Sequence, residues 1–187
     1  MTLSGKFGFL KGNPIKSLAS SSKESFLASI NNEKRLFEEL KKLIAKEGEE
    51  KCEVLYSRSI YDPRRKYISK EADRKHIYPC VYLINSKSEL KLIFSSENRG
   101  HFGIKKLIWS NGSINSLGSF IDKEGKYGLT CFSFAIVDEE ENLENIKKAF
   151  DSKKFRELME YCTLLYSINH KIIQLFRKDF WKEFIND

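Results

Sequence analysis

Between residues 52 and 137 the apolar side chains of this chain come in short runs rich in β-branched and aromatic residues. On either side they recur every three or four positions. That change of period constrains the fold most, because a helical spacing cannot stripe one face of a strand, nor the reverse. Before it, Phe26, Leu27, Ile30, Phe37, Leu40, Leu43 and Ile44 predict one helix over about 23–45, ended by Glu47-Gly48-Glu49-Glu50. Within it, the runs 52–56, 78–84, 90–94, 106–109, 119–121 and 129–137 read as strands. They are separated by the turn formers Asn85-Ser86, Asn98-Arg99-Gly100, Asn111-Gly112-Ser113 and Asp122-Lys123-Glu124-Gly125.

After it, Asp138 is placed to cap a helix that has Glu139, Glu140 and Glu141 in its first turn and Lys147 and Lys148 in its last, matching the helix dipole. Asp151 is placed to cap a second helix to about Tyr166, and a third is expected over 170–184. The order of helix, strands and helices predicts an α+β fold. It has a mostly antiparallel sheet of five or six strands, one N-terminal helix and two or three C-terminal helices. Residues 1–22, with Gly12-Asn13-Pro14 and Ser20-Ser21-Ser22, read as a flexible N-terminal arm, and 23–187 as a single domain.

With 41% hydrophobic residues, 14 Phe and 8 Tyr, a chain of 187 residues can bury a core, which excludes a disordered polyelectrolyte. Lys and Arg number 33 against 26 Asp and Glu, for a formal charge of +7. That excess points to an anionic partner, with nucleic acid ahead of a membrane surface. Cys52, Cys80, Cys131 and Cys162 lie far apart with no close pair. Reduced thiols are therefore expected rather than a metal site or a disulfide framework, and with them an intracellular setting. No apolar stretch is long enough to span a bilayer, and the first eighteen residues hold no continuous hydrophobic run of a signal peptide.

Three segments carry candidate chemistry. The stretch 58–76 holds Arg58, Arg64, Arg65, Lys66, Lys70, Arg74 and Lys75 against Asp62, Glu71 and Asp73, with Tyr56, Tyr61 and Tyr67 interleaved. Having Pro63 and no periodicity, it predicts an exposed loop. Its guanidinium groups suit phosphates or the guanine edge, and its tyrosines suit stacking. The segment 95–106 contains Asn98, Arg99, His101, Lys105 and Lys106 around Gly100 and Gly103, donors suited to phosphates and base edges. The third, Asp122-Lys123-Glu124-Gly125-Lys126, is an ordinary hairpin turn. It also has the acidic pair and lysine with which a small nuclease could hold Mg²⁺ and activate water. His76, His101 and His170 have no metal-binding spacing, Trp109 and Trp181 read as core, and no nucleophile elbow or P-loop occurs.

Several pieces in one order resemble the C-terminal target-recognition region of adenine-specific DNA methyltransferases, found in restriction–modification systems and in large DNA viruses. They are Tyr56-Ser57-Arg58-Ser59 with Tyr61, Tyr78-Pro79-Cys80-Val81-Tyr82, Gly100-His101-Phe102-Gly103-Ile104-Lys105-Lys106, Gly125-Lys126-Tyr127-Gly128-Leu129-Thr130 and Lys178-Asp179-Phe180-Trp181-Lys182-Glu183-Phe184. The resemblance covers about residues 40–187. It implies a DNA-recognition domain whose methyl transfer belongs to a separate nucleotide-binding domain. This chain has neither the glycine-rich cofactor fingerprint nor the doubled proline of the catalytic motif, and Asn13-Pro14-Ile15 is a poor echo of the latter.

The expectation is thus a specificity domain for double-stranded DNA with no cofactor and no catalytic residue of its own. A methyltransferase or restriction catalytic subunit would be its second partner, in a bacterial cytoplasm or an infected host cell. Arg58, Arg64, Arg65, Lys66, Arg74, Lys75, Asn98, Arg99, His101, Lys105, Lys106 and Lys126 would meet the DNA. The alternatives are a Mg²⁺-dependent nuclease using Asp122, Glu124 and Lys126, and a basic interaction or inhibitor protein of a restriction–modification complex.

Overall fold

A computed structural model describes residues 20–110, 118–165 and 169–185. The greater part of the expected arm and the turn Asn111-Gly112-Ser113 lie outside them. The chain divides into two compact units, one ending at Phe37 and one beginning at Glu38. Helix α1 is Ser20–Leu43, and its last residues, with Leu40 and Leu43 buried, belong to the second unit. Strands follow at β1 Glu53–Leu55, β2 Ile68–Ser69, β3 Tyr78–Ile84, β4 Leu90–Ser95, β5 Lys106–Ser110, β6 Ser119–Asp122, β7 Gly128–Leu129 and β8 Ser133–Val137. The chain then enters helices α2 Glu140–Asp151, α3 Lys153–Leu165 and α4 Asn169–Ile173, and ends in a 3₁₀ turn, Phe180–Glu183.

The fold is α+β, but the expected single sheet is two sheets of four strands, ordered β1-β8-β5-β6 and β2-β4-β3-β7. All pairings are antiparallel except β3 with β7, which run parallel with Cys80 opposite Gly128. Two sheets form because the apolar residues of β5 and β8 are buried on both faces. Ile108 and Ala135 meet Val81, Ile84 and Leu129 of the second sheet. Leu107, Trp109, Phe134 and Ile136 occupy the opposite face, where Trp109 meets Phe150 of α2 with ring centres 5.5 Å apart. Burial on both faces needs a layer on each side, here the second sheet and the helices.

A bulge seats β3 in this arrangement. Its register against β4 slips between Val81 and Leu83, so Tyr82 is the extra residue. Strand alternation would send Val81 and Ile84 to opposite faces. One inserted residue brings both into the core between the sheets. Tyr82 is left on the outer face beside Cys80, where Tyr61 and Ile93 are also buried.

The helical end departs from expectation in detail. Asp138 does not cap α2. The cap position is Glu139, with no side-chain cap bond, and Asp138 instead accepts from the Glu139 amide and the Asn142 side chain. Asp151 closes α2, and the Ser152 hydroxyl caps α3 by accepting from the Phe155 amide at 3.1 Å. The helix expected over 170–184 is broken, because 176–177 form β-bridges with Ile44 and Lys51, with Arg177 N–H donating to the Leu43 carbonyl. Trp181 is only partly buried, whereas Trp109 is wholly so. No helix among the described residues is long and apolar enough to cross a membrane.

Candidate nucleic-acid interface

The 58–76 segment lies over the outer face of the second sheet, and its own acids and tyrosines shape it. The Asp62 carboxylate accepts from the Arg64 amide and, through both oxygens, from its guanidinium (2.7 Å at the shortest). Those bonds hold Asp62 far below the usual carboxylate range. Asp73 Oδ1 accepts from the Lys75 and His76 amides, each at 2.7 Å, and Oδ2 meets His76 Nδ1 at 2.9 Å. The His76 backbone bond is the largest reason that this carboxyl is lowered to about 2. Ser57 and Ser69 hydroxyls accept from amides two and three residues on. A segment without helical or strand periodicity is in this way held as a series of side-chain-bracketed turns.

The seven cations of the stretch outnumber Asp62, Glu71 and Asp73, so most of the local positive charge is uncancelled. Arg65, Lys66, Lys70, Arg74 and Lys75 are exposed, and among the described residues none of them forms an ion pair. Arg64 is exposed but tied to Asp62, and exposed Arg58 donates from Nε to the Tyr56 hydroxyl at 2.9 Å.

The interleaved tyrosines are not presented for stacking, as the sequence suggested. Tyr61 is fully buried; its hydroxyl accepts from the Arg99 amide at 2.7 Å and donates to the Gly100 carbonyl at 3.0 Å. Tyr67 donates to the Ile60 carbonyl and lies under the Arg99 guanidinium, 4.2 Å from its ring centre. Tyr56 packs on His170, which stacks on Phe134. Through Tyr61 and Tyr67 the structure joins the 58–76 and 95–106 segments, which are remote in sequence. The Ser96 amide adds a bond to the Tyr67 carbonyl, and β2 pairs with β4 through Ile68 and Ser95. Asn98 and Arg99 are exposed on this joined surface, with Arg99 also paired to Glu97 at 2.7 Å.

The remaining candidates go elsewhere. Lys106 is not at the surface at all. Alternation along β5 puts it on the same side as Ile108 and Ser110, and it is 0% exposed. Its ammonium donates to Asp122 Oδ2 at 2.7 Å and to the His101 and Ile104 carbonyls, so it cannot neutralise a phosphate. Burial lowers its pKa, and the Asp122 bond works against that. Lys105 pairs with Glu140 of α2 and Lys126 with Glu124. His101 is half-buried at φ 70°, its Nδ1 accepting from the Leu129 amide, and burial followed by the Lys106 charge lowers its pKa. It supports the loop from beneath and keeps a neutral ring at pH 7.

The acidic turn does not assemble a metal centre. Both Asp122 oxygens accept from protein donors, namely Lys106 Nζ and the amides of Lys126 and Tyr127. Among the described residues no group of three or more His, Cys, Asp or Glu could hold a metal ion.

Sequence reasoning missed one surface feature. Phe132 is 41% exposed, with its ring centre 5.2 Å from that of Tyr82, and Lys91 lies over the Tyr82 ring. The available signal was a large apolar side chain inside the polar turn Thr130–Ser133. Comparison with protein families, with curated proteins and with solved structures finds no match for this chain.

Proposed function

We propose that the protein binds double-stranded DNA through the 58–76 segment and the Asn98–Arg99 turn joined to it, as a recognition module without catalytic residues of its own. One observation carries this reading. Arg65, Lys66, Lys70, Arg74 and Lys75 stand exposed and form no ion pair among the described residues, on a loop whose backbone is bracketed by Asp62 and Asp73. Concentrated, uncompensated and preorganised cations are what a polyanion binds by counterion release. Asn98 and Arg99, on a turn held by Tyr61 at the Arg99 amide and by Tyr67 under the Arg99 guanidinium, are the donors suited to base edges. The same expectation follows from the resemblance read in residues 40–187 to target-recognition regions of adenine DNA methyltransferases, under which methyl transfer would belong to a partner subunit.

The nuclease alternative is less favoured, since the Asp122 carboxylate is already engaged by three protein donors. The test is duplex binding by fluorescence anisotropy at 50–200 mM salt. Contact with six to ten phosphates gives a loss of about 10³- to 10⁵-fold in affinity over that range. A flat response would overturn the proposal and leave the basic interaction protein as the reading to pursue. Selection from a random duplex pool then distinguishes sequence-specific recognition from backbone binding alone.

A further inference from the structure

We infer that Phe132, set beside Tyr82 and Lys91, is a stacking platform for an unpaired base of a DNA strand. The inference deepens the DNA-binding reading and rests on it.

Among the described residues from Glu38 onward, Phe132 is the one exposed aromatic side chain. Its exposure is not that of a loose loop. The Phe132 amide donates to Thr130 Oγ1 at 3.2 Å, and the Thr130 amide donates to Ser133 Oγ at 2.9 Å. Ser133 Oγ in turn donates to the Val81 carbonyl at 2.8 Å. Thr130 and Ser133 are fully buried, so the turn is fastened to β3 at the residue before its bulge. The bulge residue is Tyr82, whose ring meets Phe132 edge-on, with planes 69° apart. Bulges commonly re-aim a side chain, and this one provides the second ring of the pair.

Charge defines the occupant. Lys91 Nζ sits 5.8 Å from the Tyr82 ring centre. A lone apolar surface would suit a protein partner. A rigid aromatic pair beside a lysine suits a nucleobase whose adjoining phosphate reaches that cation, the arrangement used by single-strand binders. A paired base has no free face to offer, so the ligand is a base displaced from the duplex or lying in a single strand.

The test uses the full chain and three fluorescein-labelled probes: dT12, a twelve-residue abasic strand with the same phosphates, and a 20-base-pair duplex. The wild type binds dT12 more tightly than the abasic strand. Phe132→Ala removes that difference, weakening dT12 by about five- to a hundredfold and leaving the abasic strand unchanged. Phe132→Trp restores it and shows indole fluorescence quenched on addition of unlabelled dT12. Alkylation of Cys131 by iodoacetamide is slowed by dT12 and not by the abasic strand. Equal affinity of the wild type for dT12 and abasic strand overturns the stacking platform, as does unchanged dT12 binding in Phe132→Ala. If duplex binding with its salt dependence survives either result, the platform alone falls. If no probe binds, the DNA reading falls with it.

Discussion

At the scale of single residues, the clearest finding is that a lysine expected on the phosphates is a core ion pair. Lys106 and Asp122 stand opposite each other in the β5–β6 register, 0% and 2% exposed at the side chain. Desolvating both charges offsets much of their attraction, but removing one leaves the other stranded. Lys106→Met should therefore cost about 3–5 kcal/mol in urea denaturation, and the double change with Asp122→Leu should recover a large part of it. A cost below about 1 kcal/mol for the single variant would mean that the pair is solvated. The acids of the basic loop supply a second prediction. Asp73 is lowered to about 2, chiefly by the His76 backbone bond, so its contribution is complete above about pH 4 and disappears as pH falls through 2. Carboxyl-carbon NMR should give a midpoint near 2 for Asp73, and a midpoint near 4 would show the bracket to be open in solution. Alternation along β5 already put Lys106 on the inner face with Ile108. That much was legible, but its acidic partner sits sixteen residues away and only strand register reveals it.

At the scale of elements, the six apolar runs became strands within a residue or two, except that 129–137 divides into β7 and β8 around the turn that carries Phe132. The pairs Ile68–Ser69 and Gly128–Leu129 are too short for any periodicity to mark them. They are strands because neighbours supply the hydrogen bonds. The C-terminal stretch misled in the opposite direction. Ile172, Ile173, Phe176, Phe180 and Phe184 are all buried at near-helical intervals. Backbone bonds from Arg177 to Leu43 and from Lys178 to Glu50 override the helix between α4 and the 3₁₀ turn. Glycine marks a real constraint at Gly125, where φ is +66° and an added Cβ would lie 2.4 Å from the Ile104 amide nitrogen. Thiol chemistry reads the packing of elements directly. Burial pushes Cys52 before β1 and Cys80 in β3 up to about 12, and Cys162 in α3 to about 11. Cys131, in the turn, is only partly buried. Under native conditions an aromatic disulfide reagent should modify Cys131 first, and the other three only on unfolding. Rapid reaction of all four would contradict the burial of Cys52, Cys80 and Cys162.

At the scale of the whole molecule, the charge of +7 is unevenly used. Lys105 and Lys123 pair with glutamates of α2, and Lys126 pairs within its own turn. The 65–75 stretch keeps its cations free of such pairs among the described residues. Composition gave the sign of the excess, and the basic run gave its location. Which cations are already neutralised follows from the fold alone. Arg64 is a poor choice for testing the surface, because its loss would strand the carboxylate of buried Asp62. Changing Lys66, Arg74 and Lys75 to alanine together should leave the melting temperature within a few degrees. It should also lower the salt slope of duplex binding by about one for each phosphate that is no longer neutralised. An unchanged slope would move the DNA-binding surface off this loop.

The Tyr61 hydroxyl, accepting from one amide and donating to the next carbonyl across 38 residues of sequence, has a consequence for engineering. The two basic loops are mechanically one object. A graft carrying either loop into another scaffold would bring an orphaned phenol, or an amide and carbonyl with nothing between them. The transplantable unit is therefore the pair, together with Gly128, whose missing side chain leaves room for the Tyr61 ring.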